Sequence, residues 1–289
     1  MDTEPMTDLA IVDADSTSLR ARVGTKFAYG TTGVREALLS FAVSSAHDIV
    51  EEEILIHAGG TQVEARELAG NHGTRLHHVE DVGDGWLEVT YNAVVDITRP
   101  VGDQVGDEID FDRWVFTRPS RYAESDRLAP MAARIFPTQS GVELVQAVSS
   151  WANSHMAYIS GSSRGTDGAI DSILQAKGVC RDFAHAVVAL LRALGTPARL
   201  VSVYAPGLQP MDFHAVAEVW VEGAWHIVDA TGLAPRESMI RIATGRDAAD
   251  TAFLTTRGGL MTFNRQVVTA ALVAGNLPLE APRALVRLA

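Results

Sequence analysis

The chain has 289 residues, of which 47% are hydrophobic and 21% charged, with one cysteine and a net charge of −12 at pH 7. That length accommodates one large domain or two ordinary ones. The acidity argues against nucleic acid or an anionic membrane as main partner, and a lone cysteine excludes an internal disulfide or a multi-cysteine metal site. No uninterrupted apolar run approaches the ~20 residues that span a bilayer. Residues 1–17 hold five Asp or Glu and a short apolar patch at 9–12, which reads as a lead-in strand or a loose arm. They lack the basic start and apolar core of a secretion signal. With the single thiol, this gives a cytoplasmic protein as the expectation.

From residue 19 to about 116, short segments rich in β-branched and aromatic residues recur. They fall at 22–29 (Val23, Thr25 and Phe27 on one side), 36–44, 49–58, 61–67, 75–79 and 86–97. Gly59-Gly60 and Gly83-Asp84-Gly85 punctuate them. Short strands at regular spacing with glycine turns predict an antiparallel N-terminal domain, sandwich-like or barrel-like. His72 and His77-His78 invite a metal reading. Adjacent histidines on a strand point to opposite faces, so no metal is expected there. Residues 100–112 are acidic, glycine-bearing and short of large apolar side chains, which reads as a loop. The boundary is expected near 120, dividing an N-terminal β-sandwich-like domain (1–120) from a second domain (121–289).

The second half opens with a short helix predicted at 129–135 and a longer one at 141–155. In the latter, Val142, Leu144, Val145, Val148 and Trp151 recur near helical spacing. Residues 158–172 are loop-rich, and 171–176 read as a single turn or a short helix. Residues 180–194 form a helix apolar around most of its circumference, so it is expected to be central and buried. Gly195 stops it, and Pro197 follows. A strand is predicted at 199–204, and a mobile loop over a site at 205–212, with Pro206, Gly207 and Pro210. His214 opens an alternating run to Val221, and a second run ends at Asp229-Ala230-Thr231. A further strand is expected at 238–243, loop or short helix at 245–255, and one or two strands within 260–273.

Cys180, His214 and Asp229 thus each stand at the end of an ordered element. A thiolate, not a thiol, attacks a carbonyl carbon. A cysteine in the first turn of a helix lies near unpaired N–H groups and the positive end of the helix dipole, which favour the anion. An imidazole can take the proton and return it to a leaving amine, a carboxylate can fix the imidazole's tautomer, and the Cys180 backbone N–H can bind an oxyanion. Register sharpens this. If residues 221–224 form a hairpin turn with Val221 facing Ala224, paired residue numbers sum to a constant, and Asp229 falls opposite Val216. His214 and Asp229 are then diagonal neighbours on one face, roughly 7–8 Å apart at the backbone. A three-residue loop would put them on opposite faces.

The stretch Gly178-Val179-Cys180-Arg181-Asp182-Phe183-Ala184-His185, with residues 192–199, resembles the signature of the transglutaminase-like superfamily. The branch it is most similar to is the bacterial one of candidate cysteine proteases. Residues 214–220 are similar to that family's histidine strand. Trp225 through Asp229-Ala230-Thr231 is similar to its aspartate strand, with Ala230 where the family usually has proline, and residues 245–250 resemble a further family stretch. The resemblance covers about 125–275. It implies an α+β architecture in which a papain-like core follows the antiparallel β module, its helix bearing the nucleophile packed on an antiparallel sheet. It further implies Cys180 as nucleophile, His214 as base, Asp229 as orienting acid and a thioester intermediate on a peptide or carboxamide. Gln175, upstream of the thiol, occupies the region where a papain-type site holds a side-chain oxyanion donor. Water as acceptor makes the activity a protease or amidase, which is slightly favoured, and an amine makes it a transglutaminase. A non-catalytic scaffold of the same fold is the rival from another class. A redox sensor would want a resolving cysteine that the sequence lacks. No cofactor is expected, and no metal dependence, because no Asp-x-Asp-x-Asp-Gly calcium loop occurs.

Other side chains have plainer readings. His185 lies about 140° around the helix from Cys180, and His226 has odd spacing from Asp229, so both are expected to be structural. Asp182 suits a helix N-terminus. Trp220 and Trp225, paired in the same register, read as core or cleft wall before substrate platform.

Overall fold

The structure, a computed structural model, describes residues 19–281 and 284–289; the lead-in segment expected over 1–17 lies outside them. The described residues open with five strands, β1 (Leu19–Leu39), β2 (Asp48–Ala58), β3 (Thr61–Val63), β4 (Arg66–Ala69) and β5 (Arg75–Ile97). Helices α1 (Asp107–Val115), α2 (Ser125–Ile135) and α3 (Gly141–His155) follow, then β6 (Ala157–Tyr158), α4 (Ala169–Gln175), β7 (Lys177–Gly178) and α5 (Cys180–Ala193). The remaining strands are β8 (Ala198–Tyr204), β9 (His214–Val221), β10 (Ala224–Val228), β11 (Ile240–Gly245), β12 (Leu254–Arg257) and β13 (Leu260–Ala274).

The first sheet rests on two long strands. β1 and β5 pair from Leu19↔Ile97 to Leu39↔His77. Each was expected as two shorter strands, those of β5 with Gly83-Asp84-Gly85 between them. Instead, Val34 pairs with Gly83 between two register shifts, and Gly33, Asp81, Gly83 and Gly85 all have positive φ. The extra residues are absorbed as bulges that bend the sheet without ending it. β2, β3 and β4 extend this sheet, and β12 and β13 complete it along the other edge of β1. The strands expected as a sandwich are therefore joined in one continuous seven-stranded antiparallel sheet. Its last two strands come from beyond residue 250, so the first sheet is built from both sides of the boundary expected near 120.

The second sheet, ordered β10-β9-β8-β11, is antiparallel throughout. Against it lies α5, buried at every position from Asp182 to Arg192, as its apolar circumference predicts. α5, α2 and α3 share a core with Ala217 and Val219 of β9. Tyr204, Ile240 and Ile242 join the inner face of the first sheet in another core, with Phe27, Leu87 and Tyr91. The second sheet thus links helices to first sheet. α1 replaces the loop expected over 100–112. Asp107, Glu108 and Asp110 sit in its first turn, where negative charge meets the positive end of the helix dipole. It buries only Asp112, with Phe111 and Trp114 66% and 74% exposed, so it has no inward apolar stripe for periodicity to detect.

His77 and His78 have separate fates. His77 stacks on Phe41 in the core, ring centroids 4.9 Å apart, and His78 meets Glu36 at 3.1 Å. Among the described residues no helix is long and apolar enough to cross a membrane.

Candidate active site

The hairpin of β9 and β10 has the register read from the sequence. Ala224 pairs with Val221 and Trp225 with Trp220, and the ladder continues to Val228↔Ala217. Glu222 and Gly223 form the two-residue turn with φ of 50° and 74°, the left-handed pair that matches the twist of a hairpin. His214 opens β9, and Asp229 lies one residue beyond β10. Both side chains are almost wholly buried, and His214 Nε2 lies 2.9 Å from Asp229 Oδ2. The carboxylate accepts only, so Nε2 carries the proton and Nδ1 is left for the sulfur. Cys180 is near enough to favour the protonated form of the imidazole.

Asp229 is itself held. Its Oδ1 accepts the Thr231 N–H at 2.9 Å and the Thr231 hydroxyl at 2.7 Å. Burial pushes its carboxyl up, but His214 and Thr231 outweigh that and hold it below the usual carboxylate range. Burial likewise opposes a charge on His214. The Asp229 carboxylate, the hydrogen bond to it and Cys180 prevail, raising the imidazole to about 10. At neutral pH the pair is imidazolium and carboxylate, a positive charge beside the sulfur.

Cys180 is the first residue of α5 and is half-buried. Its helix start is fixed by Asp182, fully buried, whose Oδ2 accepts the Val179 N–H at 2.8 Å. Oδ1 accepts the Ser163 hydroxyl at 2.9 Å and Arg181 Nη2 at 3.2 Å. Gly178 is needed for this. A Cβ there would come 2.5 Å from the Asp182 Cβ and 2.8 Å from Oδ2, closer than real atoms approach. The expectation that Asp182 serves the helix N-terminus therefore has a specific geometry.

Cys180 and His214 line a cleft of about 680 Å³ between the first sheet and the core. Tyr29 of β1, Leu254 of β12 and Gln266 of β13 supply one side; Phe213 and Phe253 also face it. The loop expected over a site at 205–212 reaches it through Asp212.

Gln175 is not brought to this cleft. It is the exposed last residue of α4, and Ala176 then turns left-handed at φ 51°. The short parallel pairing of Tyr158 with Gly178 instead places a phenol near the nucleophile. Burial, with Cys180, Asp212 and Asp229 nearby, pushes the phenol up to about 12, so it stays a hydroxyl at neutral pH. No sequence signal marks Tyr158; it is one aromatic residue in a glycine-rich stretch. His185 stacks on Tyr122 at 5.3 Å and its Nε2 accepts the Ala248 N–H at 3.1 Å; it packs structure. Trp220 and Trp225 meet edge to face at 5.6 Å, and Trp225 is buried beneath Arg199.

A central helix with a thiol at its start, packed on an antiparallel sheet that offers a histidine–carboxylate pair, defines a papain-like α+β core. Residues 130–230 match the sequence profile of the transglutaminase-like superfamily, and the chain belongs to that superfamily. It is similar to the crystal structure of a candidate cysteine protease from Cytophaga hutchinsonii, with 30% identity and a TM-score of 0.82 over 94% of this chain and 97% of that one. An uncharacterised protein of Mycobacterium leprae is 31% identical over 147 residues, 47% of this chain and 52% of that protein. The chain therefore spans about half the length of that relative. An uncharacterised protein of Mycobacterium bovis is 28% identical over 217 residues, 64% of this chain and 68% of that one.

Proposed function

We propose that the protein is an enzyme that transfers acyl groups from peptide or carboxamide donors through a thioester on Cys180. The observation that carries this reading is the buried His214–Asp229 pair, with His214 and Cys180 lining one cleft. The sulfur anion attacks the carbonyl carbon, and the carbonyl electron pair moves to oxygen. The Cys180 N–H donates to that oxyanion, and the Tyr158 hydroxyl takes the part expected of Gln175. The His214 imidazolium protonates the leaving amine as the C–N bond breaks. Neutral His214 then takes a proton from the acceptor, which attacks the thioester and releases the sulfur. Asp229 holds the ring's tautomer and offsets its charge.

Water as acceptor gives a cysteine protease or amidase, and this is the favoured reaction; an amine gives transamidation. The similarity to a candidate cysteine protease over nearly the whole chain supports the first. The cytoplasm, where a single thiol stays reduced, is the setting we infer. The test is incubation with peptide donors, with and without a primary amine, followed by intact-mass spectrometry. A mass adduct on Cys180 that is absent from Cys180→Ala is expected, and the released product identifies the acceptor. The scaffold reading would prevail if no donor labels Cys180 and iodoacetamide alkylates it no faster than free cysteine.

A further inference from the structure

On the acyl-transfer reading above, we propose that the first sheet forms the specificity wall of the cleft. The donor it selects is a peptide presenting a bulky apolar side chain with a basic group nearby. Tyr29, Leu254 and Gln266 belong to three strands of that sheet, yet they line the same cleft as Cys180. Phe213, immediately before His214, packs on Phe253 at 5.0 Å. Tyr29, Phe213, Phe253 and Leu254 are all only half-buried, so their apolar surface in the cleft is open to a guest side chain. The wall is fixed relative to the catalytic strand. Gln266 Nε2 donates to Asp212 Oδ1 at 2.8 Å, two residues before His214.

Charge sets the second feature. Arg181 and Asp212 are the only Lys, Arg, Asp or Glu among the cleft-lining residues described. Arg181 is engaged by Ser163, the Arg164 carbonyl and Asp182. Asp212 is exposed, and among the described residues its hydrogen bonds fall on Oδ1 alone. Asp212 thus lines the cleft with one carboxylate oxygen that accepts no hydrogen bond among the described residues, and a basic group on the substrate can pair with it.

The test measures kcat/KM over a library of peptide amides varied at the residue carrying the scissile carbonyl and at its neighbours. One position is expected to favour Phe, Tyr or Leu over Ala by about 10- to 100-fold, the range for burying a large apolar side chain. Another is expected to favour Lys or Arg over Glu. Tyr29→Ala and Leu254→Ala shrink the apolar ratio by about fivefold or more, Tyr29→Phe retains it, and Asp212→Asn shrinks the basic ratio. Thermal melts confirm folding; Leu254→Ala serves if Tyr29→Ala does not fold. A flat profile on donors that turn over, or ratios that these variants leave intact, overturns this proposal and leaves acyl transfer standing. No turnover of any donor, with Cys180 alkylated no faster than free cysteine, overturns both.

Discussion

A carboxylate buried with both oxygens engaged has one use for its charge here, which is to keep the neighbouring imidazole protonated. Burial alone would strip the proton from His214. Asp229 reverses that and raises the group from 6.5 to about 10. The sign follows directly. The returning proton is available below about 10 and is lost as pH rises through it, so kcat/KM should fall on the alkaline side near that value. In Asp229→Asn the largest raising influence is gone while burial still opposes the charge. The alkaline limb should therefore move to lower pH, with activity near neutrality down by about 10²- to 10⁴-fold. The rate of Cys180 alkylation by iodoacetamide against pH reads the same shift without needing a substrate. An unchanged profile in Asp229→Asn would mean that the carboxylate does not govern the ring. His214→Ala should slow alkylation at pH 7 toward that of free cysteine, and Cys180→Ala should abolish both labelling and turnover.

Two short elements turn these residues toward one another, and each rests on a glycine. At the start of α5, Gly178 lets the Asp182 carboxylate close over the Val179 N–H. Asp182 is fully buried and has no room to retreat. Gly178→Ala should therefore destabilise by about 1–3 kcal/mol, the range for overpacking, and slow Cys180 alkylation as the helix start shifts. Equilibrium unfolding and the alkylation rate test the two effects; a variant as stable as the parent would refute the close approach. In the hairpin, Glu222-Gly223 holds two strands in the register that puts His214 beside Asp229. One residue inserted between them makes a three-residue loop and reverses the faces beyond it. Alkylation should then drop to the rate of His214→Ala. This pairing was legible in the sequence because strand side chains alternate with period two and the turn residues fix the offset. α5 was legible because its apolar positions cover nearly the whole circumference. Tyr158 and α1 were not. The phenol arrives through a two-residue strand with no pattern of its own, and α1 is set by end charges and one buried aspartate.

Across the whole molecule the sequence reading reaches its limit at non-local pairing. β13 carries a local strand signal, whereas β12 falls where loop or short helix was expected, and nothing local says that either returns to β1 across more than two hundred residues. The N-terminal sheet therefore read as a separate domain, although it shares a cleft and a core with the catalytic half. A buried charge cluster was equally hidden, because its members are far apart in sequence. Arg199 of β8 and Arg241 of β11 both bind Glu218 of β9, at 2.7 Å each, and Arg199 also reaches Asp112 of α1 at 3.2 Å. Arg241 and its strand in turn meet the first sheet's connecting loops, where its N–H donates to His47 Nε2 at 2.9 Å and its carbonyl accepts the Ser44 N–H. Burial would raise the Glu218 carboxyl, but the two guanidinium groups pull it down to about 2. Its charge thus contributes stability that is fully present above the ordinary carboxylate range and is lost progressively as pH falls from that range through about 2. Glu218 also lies on the His214 strand at even spacing, so the cluster steadies the element that presents the imidazole. Glu218→Gln removes the counter-charge of the buried Arg241 and leaves Arg199 with Asp112 alone, a change expected to cost about 3–5 kcal/mol. The melting temperature should fall by about 6–20 °C, measured by circular dichroism at pH 7. At temperatures where the variant remains folded, Cys180 alkylation should slow less than in His214→Ala, because the catalytic groups are still present. A melting temperature within about 2 °C of the parent would show that the cluster is electrostatically neutral in effect, and that packing alone joins the two sheets.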